Sequence, residues 1–316
     1  MDLVTIGESM LRFMPPVGST LEAADRFLVV LAGAESNVAI GVQRLGMAAG
    51  WVSKLPQNAL GRKALNAVRA HGVDVSRVVL APRGRMGLYF TELPGPPRPV
   101  GVVYDRHDSC FSTLEPAEVD WDYVRRASIL HLTGITPALG AGCRRVVHRA
   151  LEVAKGAGLL TTFDVNFRSR LWTAGEAGEV LGRLLPGVDV LIAAAEDVQA
   201  VFGLDGAPAE VAAALQSEFK NRVVVLTLGD KGALGREGTE VVHEPAVPGV
   251  AVDPIGRGDA FVAGFIFGYI AAGLKRGLAY GSAMASLKQT YVGDVAWCTA
   301  EDVGRVAGGD VNALRR

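Results

Sequence analysis

The chain has 316 residues, 49% of them hydrophobic, with 39 glycines, 15 prolines and a formal net charge of -1. That apolar content can bury a sizeable core and excludes a disordered chain, and the even charge leaves no basic excess for nucleic acid. Three cysteines, Cys110, Cys143 and Cys298, lie far apart without paired spacing, which excludes a disulfide frame or a zinc site and fits free thiols in a reducing compartment. The N-terminus lacks a signal-peptide pattern, and the longest apolar run, Ala260 to Leu274, falls short of a membrane span. The expectation is a cytoplasmic protein with neither membrane nor nucleic-acid partner.

Leu3 to Gly7 is a short apolar run ending in glycine, hence a buried strand, with Glu8 and Ser9 at its end. Leu11 to Leu31, interrupted by Pro15, Pro16 and Gly18, predicts short strands and turns. Ala32-Gly33-Ala34-Glu35-Ser36-Asn37 opens a helix running to about Leu45-Gly46 and apolar at Val38, Ile40, Val42 and Leu45. Trp51 to Ser53 is a strand, and a helix follows Gly61 through Arg69. Met86 to Glu92 and Val100 to Tyr104 are β-type runs across a Gly/Pro-rich turn, which predicts a hairpin carrying Tyr89 and Tyr104, with Arg106 and Ser109 directly after.

From Ser128 strands and helices alternate. The predicted strands are Ile129–Leu132, Leu159–Phe163, Val188–Ile192 and Val223–Thr227, with a helix over Cys143–Ala157 ending at Gly158. Such alternation predicts a parallel sheet covered on both faces. The polar clusters all follow strand ends, where open α/β sheets bind ligands: Asp164-x-Asn166-x-Arg168, Glu196-Asp197, and Thr227 to Gly232.

Asp253-Pro254-Ile255-Gly256-Arg257-Gly258-Asp259 then runs into the apolar stretch behind it. Glycines permit a tight turn, and a helix start offers free N–H groups and the positive end of the helix dipole. That makes a phosphate site with a carboxylate beside it and points to phosphoryl transfer onto a hydroxyl. The alternative is a loop with an acidic helix cap.

This stretch resembles the Asp-Thr-x-Gly-Ala-Gly-Asp signature of the ribokinase-like, or PfkB, sugar kinases at Asp253, Gly256, Gly258 and Asp259, departing from it at Pro254 and Arg257. The resemblance spans Gly7 to Asp294. It implies one α/β kinase domain over residues 1–316: a three-layer fold with a mostly parallel sheet flanked by helices, and a small β-lid from about 10–32 and 85–107. A looser N-terminal pattern matches at Gly33, Asn37, Ala39 and Gly46, with Ala32 in place of a glycine. Asp164, Asn166 and Arg168 followed by Leu171-Trp172, with Tyr104 and Arg106, look like the 2-keto-3-deoxygluconate kinases. Arginine forks match carboxylates, so these two arginines suit an acid sugar. Arg168 paired with a structural acid such as Asp164 is the competing reading.

The resemblance implies that Asp259 is the base and that Gly256, Arg257 and Gly258 form the anion turn. The substrate is held by Gly33, Asn37, Tyr89, Tyr104, Arg106, Arg168 and Asp294. ATP and Mg2+ are the implied cofactors, with Asn166, Glu196, Thr227, Gly229, Lys231 and Gly232 on the nucleotide side. Lys288 and Thr290 are placed where they could flank adenine. No residue ligates metal directly. In the family's Asn-x-x-Glu motif, Ala193 takes the asparagine position and Glu196 reaches magnesium through water. A homo-oligomer is expected. No Walker A sequence or dinucleotide fingerprint is present. Three functions stay open: 2-keto-3-deoxygluconate phosphorylated at its 6-hydroxyl, a neighbouring fructose, ribose or nucleoside kinase, or a sugar-acid-binding protein that has lost turnover.

Overall fold

The computed structural model describes residues 1–93, 95 and 97–309; residues 94 and 96, within the Gly/Pro-rich turn, and 310–316 lie outside the described residues. The strands are β1 Leu3–Ile6, β2 Met10–Met14, β3 Leu28–Ala32, β4 Ala49–Val52, β5 Lys54–Pro56, β6 Val79–Ala81 and β7 Gly87–Glu92. They continue with β8 Gly101–Asp105, β9 Ile129–Thr133, β10 Leu160–Asp164, β11 Val190–Ala194, β12 Val223–Thr227, β13 Ala233–Glu237 and β14 Glu240–Glu244. The main sheet has eight strands in the order β14-β13-β12-β11-β10-β9-β1-β4. Its pairs from β4 to β12 are parallel, and β13 and β14 extend it antiparallel.

Because side chains alternate along a strand, each strand feeds two cores. Leu3, Ile129, Val223 and Val225 pack with the helices Ala34–Arg44, Ala59–Arg69 and Arg257–Lys288. Val4, Leu130, Leu132, Val224 and Leu226 pack on the other face with Ala141–Ala157, Ala174–Leu184 and Pro208–Phe219. The result is the three-layer α/β arrangement expected. Local signals fix the helix ends: Asn58 accepts the N–H groups of Leu60 and Gly61, Thr173 and Glu176 form a capping box, and Gly158 closes its helix at φ 70°.

A second sheet of four strands, β3-β2-β7-β8, is built from the two segments expected to form a lid. The predicted hairpin is the antiparallel β7–β8 pair, with Tyr89 opposite Tyr104. The helix expected from Ala32 begins at Ala34, since Ala32 completes β3 and Gly33 is the cap. The β13–β14 hairpin, joined through Gly238 and Thr239, went unpredicted because its strands are half polar.

The helix behind the glycine-rich turn is far longer than the apolar run suggested. Among the described residues it alone is long and apolar enough to cross a membrane, yet 61% of its most apolar stretch is buried inside the fold. It breaks at Ala272–Gly273, and its halves fold back on each other. A Cβ on Gly264 would lie 2.5 Å from the Tyr280 carbonyl, and one on Gly268 2.5 Å from that of Arg276, so only glycine permits this backbone approach.

Candidate active site

The parallel strands β1 and β9–β12 end on one side of the main sheet, and the helix starting at Arg257 begins there. Asp253 is fully buried, and its Oδ1 accepts the Ile255 N–H at 3.1 Å, bending the chain into Gly256 at φ 84°. A Cβ on Gly256 would lie 2.2 Å from the Asp294 carbonyl, so this position requires glycine for both conformation and space. Gly258 and Asp259 sit in the first helical turn, whose N–H groups have no carbonyl partner within the helix. A Cβ on Gly258 would meet nothing within 4 Å, so the space beside this backbone is open.

Asp259 is half-buried, and its loss of solvent raises its pKa; the hydrogen bond from Asn37 and the charges of Arg168 and Lys288 pull it back. Asn37 Nδ2 donates to Asp259 Oδ2 at 2.7 Å. Its other amide atom, Oδ1, is buried without a protein partner. The helix carrying Asn37 packs against the one carrying Asp259 through Gly41, where a Cβ would stand 2.6 Å from that of Ala263.

Asp259 and Asn37 line a cavity of about 390 Å³ together with Gly33, Tyr89, Tyr104, Arg106, Asn166, Arg168 and Asp294. Every residue expected to hold a substrate is therefore brought together. Gly33 is there for space, as a Cβ would lie 2.4 Å from the Glu8 carbonyl. Tyr89 and Tyr104 stack at 5.5 Å and form the small-sheet wall.

The two arginines differ. Arg106 is buried against Glu8, to which Nε donates at 3.0 Å and Nη2 also donates, leaving Nη1 without a hydrogen-bond partner among the described residues. Arg168 is exposed and, among the described residues, donates only to the Phe167 carbonyl, at 3.0 Å. It makes no ion pair with Asp164, although its charge offsets part of the rise that burial causes in the pKa of Asp164, Asp197 and Asp259. Both arginines and Tyr104 also line a neighbouring cavity of about 640 Å³.

Asp294 lines the cavity as expected, where one oxygen accepts from Arg12 at 2.8 Å and the other from the Tyr89 hydroxyl at 2.6 Å. Two expectations are corrected here. Asp197 and Ala194, not Glu196 and Ala193, carry the polar and small positions that converge near Asp164 and Asp259; Ala193 also borders the cavity, and Glu196 turns to a separate groove. The helix begins at Ala195, and one residue along a helix rotates a side chain by roughly 100°. Lys288 is fully buried and donates to the Asp253 carbonyl at 2.8 Å, so it holds the turn and cannot flank adenine.

Asp164 ends β10, and its carboxyl is pushed up to about 8 by burial and by the charges of Asp259 and Asp197. Asn166, at φ 42°, donates to it at 3.1 Å, and Asp197 accepts the Phe167 N–H at 3.0 Å. Carboxylates crowded this way suit a cation in their midst. Among the described residues, no group of three or more His, Cys, Asp and Glu side chains is arranged to hold a metal ion.

Across Gly258 lies a groove of about 180 Å³ bordered by Glu196, Thr227, Gly229, Gly232, Ala246, Val247, Arg257 and Gln289. Gly258 borders both this groove and the larger cavity. Lys231 is exposed and borders neither the groove nor the cavity. The Arg257 side chain does not crowd the turn; it is 42% exposed, with Nη1 3.9 Å from Asp230 Oδ1. Arg257→Ala is therefore expected to leave kcat within about twofold and to raise the KM for ATP several-fold, as for loss of an exposed phosphate-side charge. Steady-state kinetics at varied ATP checks this.

Arg12 was not singled out from the sequence, although a lone charge inside the apolar run Met10-Leu11-Arg12-Phe13-Met14 is a signal of a buried partner.

An open glycine turn at a helix start, a half-buried carboxylate in its first turn and a polar cavity at the strand ends point to the transfer of a phosphoryl group to a substrate hydroxyl. The chain belongs to the pfkB family carbohydrate kinases, whose family model matches residues 1–300. It is 43% identical over 316 residues to a 2-dehydro-3-deoxygalactonokinase of Haloferax volcanii, covering 99% of both chains. It is 34% identical to a 2-dehydro-3-deoxygluconokinase of Bacillus subtilis, covering 93% of this chain and 91% of that one. The crystal structure of a 2-dehydro-3-deoxygluconokinase from Thermotoga maritima superposes with a TM-score of 0.92 at 32% identity, covering 98% of each chain.

Proposed function

We propose that this kinase transfers phosphate from ATP to the 6-hydroxyl of a 2-keto-3-deoxy sugar acid. The observation that carries the reading is Arg106: Glu8 holds one edge of its guanidinium, and the free Nη1 is left at the cavity for a carboxylate. Arg168 adds a second positive charge at the same wall. The names of the Haloferax volcanii and Bacillus subtilis relatives differ at one stereocentre, C4, being those of kinases for the galactonate and gluconate epimers. The higher identity to the galactonate enzyme makes both epimers candidates.

In this reading Asp259 accepts the proton of the 6-hydroxyl as that oxygen attacks the γ-phosphate. Asn37 Oδ1 accepts a substrate hydroxyl while its Nδ2 holds the base, which ties the sugar's position to the base's. The first-turn N–H groups stabilise charge on the transferring phosphoryl group. Asp164 and Asp197 would hold Mg2+ through water; when bound, the ion neutralises phosphate charge. The small sheet acts as a lid that keeps water from the phosphate.

ADP release measured with both epimers, fructose, ribose and adenosine tests this. The expected result is a kcat/KM for one or both keto acids well above that for every neutral compound, with a 6-phosphate product by NMR. A preference for a neutral sugar or nucleoside would overturn the acid-sugar assignment.

A further inference from the structure

We propose that Arg12 is a positioning residue for phosphoryl transfer: reaching out of the small sheet, it sets the anion turn and the tyrosine wall of the sugar cavity in one register. The inference rests on the sugar-acid reading of the cleft.

Arg12 sits in β2 and is 0% exposed. Each edge of its guanidinium has a separate task. Nε donates to Thr91 Oγ1 at 2.7 Å, on the neighbouring strand β7 two residues from Tyr89. Nη1 donates at 2.8 Å to Asp253 and at 2.8 Å to Asp294, and Nη2 donates to Asp253 at 3.2 Å. These carboxylates then pass the constraint onwards. Asp253 accepts the N–H groups of Ile255 and Gly293 at 3.1 and 2.9 Å, which shapes the turn ahead of Gly256. Asp294 accepts the Tyr89 hydroxyl at 2.6 Å, and its carbonyl is the surface on which Gly256 rests. One side chain therefore fixes both the place of the phosphate and the place of the sugar. In-line transfer requires those two to agree closely.

The cluster also balances charge. Arg12 and Lys288 face Asp253 and Asp294, two cations against two anions, all buried. Without Arg12 one negative charge is left over behind a turn that must receive a polyphosphate. Lysine in its place would restore the charge but could not span Thr91, Asp253 and Asp294 with one planar fork.

The test compares Arg12→Met and Arg12→Lys with the wild type, at a temperature where circular dichroism shows each fully folded. Arg12→Met is expected to lower kcat roughly 10²-fold, the usual cost of a small misplacement in a reacting pair, and to raise the KM for the sugar acid. Arg12→Lys is expected to recover part of kcat while the KM for the sugar acid stays raised. A purely structural role would lower the melting temperature and leave kcat and both KM values of the folded variants within twofold of wild type, and that result would overturn the proposal. If Arg12→Met does not fold, Thr91→Val and Asp294→Asn each remove one arm, and unchanged kinetics in both would overturn it equally. Wild-type enzyme that turns over no sugar acid would instead defeat the sugar-acid reading on which the inference rests.

Discussion

Asp259→Asn is expected to lower kcat by roughly 10²–10⁴-fold, the usual worth of a general base, with little change in the KM for ATP. Asparagine keeps the size of the side chain and can still meet Asn37, so the fold is preserved while the proton acceptor is lost. The wild-type pH profile should carry the same signature. Burial raises the pKa of Asp259, so the carboxylate takes up a proton at a higher pH than an exposed aspartate. The base is active when ionised, so kcat/KM should fall as pH drops through that raised value. The acid limb should thus lie above the ordinary carboxylate range and be absent from the residual activity of the variant. A variant with near-normal turnover, or one that keeps the limb, would remove Asp259 from this role.

Arg106→Ala is expected to cost on the order of 2–5 kcal/mol in kcat/KM for the sugar acid, the range for truncating one partner of a buried charge pair. The loss has two sources. The substrate carboxylate loses its donor, and Glu8, already with one oxygen unpaired, is left buried with no cation. Melting temperature should drop too, but neutral sugars should lose far less in kcat/KM than the acid. Arg168→Ala should cost less than Arg106→Ala, because Arg168 is exposed and its charge is screened by solvent. Equal losses for acid and neutral substrates would show that Arg106 serves the fold alone.

Much of this architecture was legible because period and punctuation are local. The alternation after Ser128 gives the strands β9 to β12 within about two residues, and the glycines of the signature mark the turn. The candidate site was legible where a residue's chemistry coincides with a strand end, as for Asp164 and Thr227, or with a glycine-marked helix start, as for Asp259. Three-dimensional matters were not. Asp197 and Glu196 are adjacent acids, and only the helix start at Ala195 decides which enters the cavity. Asp294 and Arg106 look alike as polar residues near the pocket, yet partners 282 and 98 residues away in sequence take up much of their bonding capacity. Lys288 read as a nucleotide contact because nothing nearby in sequence shows that the helix doubles back to Asp253. The half-polar hairpin β13–β14 has too weak an alternation to announce itself.

The Arg12 cluster also dictates when, during synthesis, a working site can exist. Arg12 meets Asp253 across 241 residues and Asp294 across 282. A growing chain exposes Arg12 long before either acid has been made. Until then its guanidinium must remain in water, because burying it unpaired costs several kcal/mol. Nascent fragments can lay down β1, β9 and β10 and still leave β2 out of its final packing. Closing so long a loop adds little to the cost of the finished fold, since the entropy grows only with the logarithm of length. It does place these contacts among the most non-local in the protein, the kind that form slowly. Sugar binding should therefore appear abruptly, and only once the segment after Gly293 arrives to complete the cluster.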